Sequence, residues 1–326
     1  MGHYVVQTTA ERPYRSFIPI PLPPEPPLDL SRVDEERTRA NLALGSLNAI
    51  TRFLPDRRLF LYSYIRKEAV LSSQIEGTQS TLEDLLLYEN EAVPGVPIDD
   101  VSEVSCYVAA LEYGLKELRK GVPISGRLIR GMHKVLLRSG RGSNKSPGEF
   151  RRHPVWLGGT RPDNAIFVPP PYTEIPQLMT KLERFLNDIP QKTPALMKAA
   201  LSHVQFETIH PFSDGNGRIG RLLVSLILSS EKVLDEPLLY LSLYFKTHRQ
   251  TYYDLLQKVR TEGDWESWTV FFLRGVAEVA DGAAQTAHRL LTMFDKDRSR
   301  LESEGRHAGT LVRVHDLLKH EVAVSS

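Results

Sequence analysis

Residues 209–230 read IHPFSDGNGRIGRLLVSLILSS. From Arg218 onward the stretch is apolar and of helical length. Gly215-Asn216-Gly217 stands directly before it. Successive backbone N–H groups in such a tripeptide can form a concave nest, and the following helix N-terminus adds partial positive charge; together they make an anion site. Arg218 and Arg221 sit one turn apart at that N-terminus, where the helix dipole disfavours cations. Two cations placed there point to a compensating anion, most economically a polyphosphate. Asp214 supplies a hard oxygen suited to Mg²⁺, which commonly takes one or two carboxylates plus phosphate oxygens. His210, closing the preceding helix, is a general base whose ordinary pKa lies near the working pH. Pro211 stiffens the turn, and Phe212 reads as core, plugging the loop onto the helices. Base, metal ligand, nest and two arginines are the equipment for moving a phosphorus-centred group to a hydroxyl. A rival reading takes His203, Glu207 and His210 as metal ligands on one helical face. The HxxxE spacing lacks the HExxH arrangement of zinc hydrolases, so His203 and Glu207 are read as orienting or packing residues.

Outward from this stretch the chain is helical. Helices are expected over 31–50, 57–76, 104–118, 125–139, 174–187, 193–209, 217–230, 236–246, 248–262 and 264–303, on the recurrence of apolar residues at three- and four-residue steps. Gly77 reads as a left-handed cap of the 57–76 helix. Ser80-Thr-Leu-Glu83 reads as a capping box opening LEDLLLYENE. One region breaks the pattern. Residues 155–168, VWLGGTRPDNAIFV, alternate and carry turn residues, which predicts a short β-hairpin. A lone hairpin must pack on helices, and one edge could pair with an incoming peptide. Residues 18–28, IPIPLPPEPPL, form an extended proline-rich arm, lying on the surface or serving a proline-reading partner.

The chain of 326 residues carries 41 basic and 40 acidic residues, a net charge of +1. No global field draws in nucleic acid or acidic membrane. One cysteine, Cys106, excludes an internal disulfide framework and fits a reducing compartment. No apolar run approaches the roughly 20 residues needed to span a bilayer, and the N-terminus lacks the apolar core of a signal peptide. A cytoplasmic protein is expected.

The segment HPFSDGNGRIGR resembles the Fic family signature, HPFx(D/E)GNGRxxR, at every specified position. GEFRRHPVWLGG with AIFVPPP is similar to the flap region of that family, and YFKTHRQTYYDLLQKVRTEGDWESW to the helices after the motif. KEAVLSSQIEGTQSTLEDLL is similar to the N-terminal region of members that carry an inhibitory helix, whose motif (S/T)xxxE(G/N) is matched by Ser72, Glu76 and Gly77. The likeness spans roughly residues 15 to 280. It implies an all-α Fic-type bundle with a β-hairpin flap. Residues 1–95 would be an N-terminal arm and helical region with the inhibitory helix at about 61–77, 96–280 the catalytic core, and 281–326 C-terminal helices. It also implies protein AMPylation: AMP moves from ATP to a Ser, Thr or Tyr hydroxyl of a target protein, releasing pyrophosphate. His210 would deprotonate the hydroxyl, and Asp214 would hold Mg²⁺ between the α- and β-phosphates. Asn216 with the Gly215 and Gly217 amides would cradle phosphate, and Arg218 and Arg221 would hold the β- and γ-phosphates. The flap, with Leu157, Gly158, Gly159, Thr160, Ile166, Phe167 and Val168, would pin the target by strand-like pairing. Tyr253, with Tyr252 second, would line the adenine pocket. Residues 308–326 resemble the first helix of a winged-helix domain that stops before a recognition helix.

Glu76 before a helix-ending glycine faces the negative end of its own helix dipole. Docked against Arg221, each charge relieves the other, and an occupied Arg221 denies the γ-phosphate its seat. The expected protein is an autoinhibited adenylyltransferase with ATP and Mg²⁺ as reactants. Its partner is a target protein, itself included; nucleic acid and membrane are not expected partners, and homo-oligomerisation is left open. Removal of AMP or another phosphate transfer is the alternative chemistry, and a regulatory binding module with a residual winged-helix tail the non-enzymatic one.

Overall fold

The computed structural model describes residues 2–9, 12–54, 57–89, 98–303 and 308–318. Two helices form its centre. Every residue of α7 (Ala195–Ile209) after its first is buried, and so is nearly all of α8 (Asn216–Ser230). Apolar residues recur on every face of both, with buried polar side chains between them, and a helix of this kind belongs inside. The two pack on one another, joined by the loop 210–215. Around them lie α2 (Arg57–Ile75), α4 (Ile98–Arg119), α5 (Gly126–Leu136), α6 (Ile175–Leu186), α9 (Ser242–Thr247), α10 (Arg249–Glu262) and α11 (Trp265–Glu302). In front of them, α1 (Asp34–Thr51) lays a small-residue stripe, Ala40, Ala43, Leu44 and Leu47, along α11. Its first turn carries Asp34, Glu35 and Glu36, the charge a helix N-terminus favours. α12 (Ala308–Leu318) folds back on α11, with Phe294 edge-on to His315.

One contiguous apolar core runs from Leu22 to Ala287. The expected division at 95/96 lies outside the described residues, but the core continues across it. Likewise the expected end of α3 (Leu82–Glu89) at Asn90 and Glu91, and tail residues 319–326, lie outside the described residues.

Three expectations need correction. The helix predicted over 236–246 forms only from Ser242; the backbone before it runs without helical bonding. The box opening α3 is Thr81 with Asp84, not Ser80 with Glu83. Asp84 N–H donates to Thr81 Oγ1 (3.1 Å) and Thr81 N–H to Asp84 Oδ2 (2.8 Å), while Ser80 is buried beneath. The hairpin predicted over 155–168 closes through a single bridge, Leu157 with Phe167. Gly158 and Gly159 are both left-handed (φ 68° and 72°), and residues 162–164 coil into a 3₁₀ turn, so no second ladder rung forms. The regular hairpin lies elsewhere. β1 (Gly2–Thr9) and β2 (Arg12–Pro19) pair antiparallel, Gly2 opposite Pro19.

Candidate active site

Helix α8 begins without help from its own sequence. Gly215, its N-cap, is left-handed (φ 75°) and offers no side chain, and the first turn holds no acid. Its orphan N–H groups therefore face whatever anion the fold brings. The loop before it is held rigidly. Asn216 Nδ2 donates to the Phe212 carbonyl, and Phe212 N–H donates back to Asn216 Oδ1, both at 2.9 Å. The expected role of Asn216 is to cradle phosphate; its Oδ1 and one Nδ2 proton are engaged in this clamp, and its second Nδ2 proton and its backbone N–H are not. Phe212 is fully buried, stacked on His133 at 3.7 Å between ring centres. His133 takes Gly148 N–H on Nδ1 (2.8 Å) and so donates from Nε2 to the Asp214 carbonyl (3.0 Å). Burial pushes its pKa down to about 4, keeping it in this neutral form.

The anion comes from α2. Helix α2 ends in a Schellman motif: Gly77 N–H donates to the Gln74 carbonyl and Thr78 N–H to that of Ser73, with Gly77 at φ 105°. Glu76 is the C-cap residue of this motif, so its direction is fixed by the backbone. Its Oε1 accepts from Arg221 Nη2 at 2.9 Å, and its Oε2 lies 3.2 Å from Arg218 Nε. The carboxylate rests so close to the start of α8 that a Cβ on Gly217 would stand 2.5 Å from Oε1. Arg221 Nε donates to Ser72 Oγ (2.7 Å) and Nη2 to the Ser72 carbonyl (3.0 Å). Burial alone would raise the Glu76 carboxyl; Arg221 and then Arg218 outweigh it and hold it below the usual range.

Arg218 is fully buried and meets two further carboxylates, Glu103 of α4 and Asp214, both at 3.2 Å. Glu103 also accepts from Arg141 N–H at 3.1 Å, and Arg141 Nη1 donates to the Glu76 carbonyl at 3.3 Å. Neither Glu103 nor Arg141 was singled out in the sequence. The available signal was an acid on the buried stripe of α4 that also carries Val104 and Tyr107. Glu68, on α2 two turns before Glu76, accepts from Tyr107 Oη (3.1 Å) and Ser242 Oγ (2.5 Å), tying α2 to α4 and α9.

His210 caps α7 in the left-handed region (φ 49°, ψ 61°), which is uncommon for a residue with a Cβ. Its N–H donates to the Phe206 carbonyl (2.9 Å), and its carbonyl accepts from Arg151 Nε (2.8 Å). Its Nδ1 is buried with no hydrogen-bond partner among the described residues. Burial first, then Arg151 and Arg260, push its pKa down to about 3. It is therefore neutral at neutral pH. Of its expected neighbours, His203 uses both ring nitrogens, on the Gly220 carbonyl (3.0 Å) and Tyr252 Oη (2.8 Å). No group of three His, Cys, Asp or Glu that could hold a metal occurs among the described residues, so the zinc reading gains nothing.

The two tyrosines part company. Tyr252 is buried, bonded to His203 and packed between Phe245 and Trp268, so it cannot line an open pocket. Tyr253 is 40% exposed, with the Arg249 guanidinium 5.0 Å from its ring centre. In the segment 157–168, Gly158, Gly159, Thr160 and Ile166 are exposed, Leu157 is half-buried, and Phe167 and Val168 are buried. Arg260 lies over the Phe167 ring (3.9 Å) and reaches Thr208 Oγ1 (3.2 Å), joining this segment to the end of α7.

Residues 123–228 match the Fic/DOC family, and residues 35–116 the Fic/DOC family N-terminal region; together they cover more than half of the chain. A relative from Aedes aegypti, Protein adenylyltransferase Fic, is 34% identical over 262 residues, 74% of this chain and 49% of its own. One of the same name from Drosophila yakuba is 34% identical over 193 residues, 58% of this chain and 36% of its own. The chain thus spans at most about half the length of these curated relatives. Among solved structures, a Fic family protein from Desulfovibrio desulfuricans superposes with a TM-score of 0.67 at 24% identity, covering 83% of this chain and 78% of that one. Residues 134–508 of Fic-1 from C. elegans give 0.60 at 21%, with 81% and 74% covered. At these identities the likeness is one of fold.

Proposed function

This chain belongs to the Fic/DOC family, and from that premise we propose that it is a protein adenylyltransferase held off by its own Glu76. The observation that carries the reading is the carboxylate of Glu76 seated at the uncapped N-terminus of α8, between Arg218 and Arg221. An acid from another helix fills the anion seat at Arg221, which no other carboxylate among the described residues reaches within ion-pair distance. Such a seat, with two guanidiniums and free backbone N–H groups, suits the terminal phosphates of a nucleoside triphosphate.

The residues also fit Mg²⁺. Asp214 Oδ1 is engaged by Gly215 N–H (2.6 Å) and Arg218, while Oδ2 faces space kept clear by Gly142, where a Cβ would stand 3.0 Å away. One hard carboxylate beside phosphate oxygens is the usual provision for this ion, which when bound neutralises phosphate charge.

The rest is done by the chain. With Glu76 withdrawn, Arg221 and Arg218 hold the β- and γ-phosphates, and the Gly217 N–H helps fix the α-phosphorus. Neutral His210 takes the proton of the target hydroxyl as its oxygen bonds to the α-phosphorus. The α–β bridging bond breaks, and pyrophosphate leaves. With Glu76 in place the γ-phosphate has no seat, the triphosphate sits out of line, and misplacement by about 1 Å costs roughly 10²-fold in rate.

The test uses ATP labelled at the α-phosphate, Mg²⁺ and a cell extract. The Glu76→Gly protein is expected to label protein, itself included, about 10²-fold faster than the unmodified chain, and Glu76→Gly with His210→Ala to transfer none. Label arriving only from γ-labelled ATP would turn the reading to a kinase-like transfer. No label from either would end it.

A further inference from the structure

One edge of the 155–168 segment is where an incoming peptide could pair. At Val168 that edge already holds a backbone bond. Phe17 N–H of β2 donates to the Val168 carbonyl at 3.0 Å. Phe17 stands opposite Tyr4 in the β1–β2 register, so a Phe17 N–H bonded to Val168 points away from β1. The outer edge of β2 therefore lies along the flap. Arg12, at the other end of β2, reaches Asp163 Oδ2 at 3.3 Å. Arg12 meets Asp163 and Phe17 meets Val168, so β2 and the returning half of the flap run in the same direction.

Side chains reinforce the pairing. Phe17 is buried, with its ring 6.3 Å from that of Phe167 and 5.2 Å, edge-on, from Tyr4. Phe167 is covered on another side by Arg260, which is bonded to the last turn of the helix that ends in His210. Just past β2, the Ile20 carbonyl accepts from Gln205 of that same helix at 2.8 Å. The exposed Arg12–Asp163 pair adds little energy; the buried aromatic contact and the backbone bond carry the attachment.

We infer that the flap edge at Phe167–Val168 is a docking site for an extended segment bearing an aromatic residue, and that β2 is its resident occupant. The inference rests on the reading of 157–168 as the target-binding flap. Strand addition draws affinity from main-chain bonds and selectivity from alternate side chains. Here the selective position is that of Phe17, with a basic residue five positions earlier as the weaker preference. A target segment must displace β2, which competes as a tethered strand at an effective concentration of about a millimolar. This restraint is separate from Glu76: one governs the nucleotide, the other the acceptor.

The experiment uses the full chain and, as probe, a fluorescent peptide copying residues 12–20, RPYRSFIPI. Arg12→Ala with Phe17→Ala in the chain loosens β2. The peptide is expected to bind this double variant at least about tenfold more tightly than the unmodified chain, and a peptide with alanine at the phenylalanine position to lose that gain. Equal affinity for both chains, or indifference to the peptide's phenylalanine, overturns the inference. Hydrogen exchange on the unmodified chain guards against a variant that misfolds. At peptide concentrations near the tether's effective value, β2 should be displaced about half the time and exchange at residues 12–20 should rise severalfold; unchanged or slower exchange there also overturns it. Neither readout needs ATP, Mg²⁺ or His210, so this inference and the adenylyltransferase reading fail separately.

Discussion

Glu76→Gln isolates the electrostatic part of the proposed brake. The amide keeps the shape and one acceptor, but Arg221 loses the one carboxylate within ion-pair distance among the described residues. Arg218 keeps Glu103 and Asp214. Breaking a buried pair by removing one partner costs about 3–5 kcal/mol. The Glu76 side chain is 19% exposed against 3% for Arg221, so solvent screens part of that and about 2–3 kcal/mol remains. For a chain of this length the loss lowers Tm by roughly 4–6 °C. An added anion should then do what the carboxylate did. Pyrophosphate at 100 times its Kd would return about 2.7 kcal/mol to the variant, and far less to the unmodified chain, where it must first displace Glu76. Thermal unfolding of both proteins, with and without pyrophosphate, reads the two effects together. A variant melting within about a degree of the unmodified chain, with the same pyrophosphate increment in both, would show that the anion seat is not where the charges place it.

Three more outcomes follow from buried groups. Burial raises the Glu207 carboxyl to about 7 from its ordinary 4.5, so the folded chain keeps that proton longer than the unfolded one. Its contribution is full below the unfolded value and is lost as pH rises through 7, which costs up to about 3 kcal/mol at pH 8. Glu207→Gln should shrink the loss of urea stability between pH 5 and 8; an unchanged pH profile counts against a buried, protonated Glu207. Glu103→Gln in the Glu76→Gly background should raise KM for ATP about tenfold with a smaller change in kcat, because Arg218 and Arg141 lose their shared carboxylate; unchanged KM would remove Glu103 from the phosphate site. Phe212→Ala should cost about 3–5 kcal/mol in denaturant titration, since the ring is fully buried on His133. A cost under about 1 kcal/mol would mean the loop is held by the Asn216 clamp alone.

Much of the fold was legible because its helices are long and periodic, and the centre because the apolar residues of α7 and α8 are spread around each helix. The sequence 209–221 could be read as an anion site because glycines, arginines and an acid lie adjacent in the chain. What depended on distant segments meeting was harder. Glu103 and Arg141 reach Arg218 from other elements, and nothing in their own neighbourhoods names that partner. Asn216 has a structural task beside the phosphate role its position suggests, since two of its hydrogen bonds close within the loop on Phe212. Tyr252 and Tyr253 are adjacent, and only packing decides which one faces inward. The strands at 2–19 escaped notice because the proline-rich arm after them dominates that region, and the pairing that steadies them comes from the flap, far along the sequence.

Arg151 donates from one guanidinium to the carbonyls of His210 (2.8 Å), His153 (3.2 Å) and Pro170 (2.7 Å), while its N–H donates to that of Pro211 (2.9 Å). His210, the general base of the proposed reaction, and both ends of the 155–168 segment are thus riveted to one residue, and the exposed tip between those ends makes none of these bonds. Under the proposed function, substitutions at the tip would alter the contact with an acceptor and leave the backbone bonds that align His210 untouched.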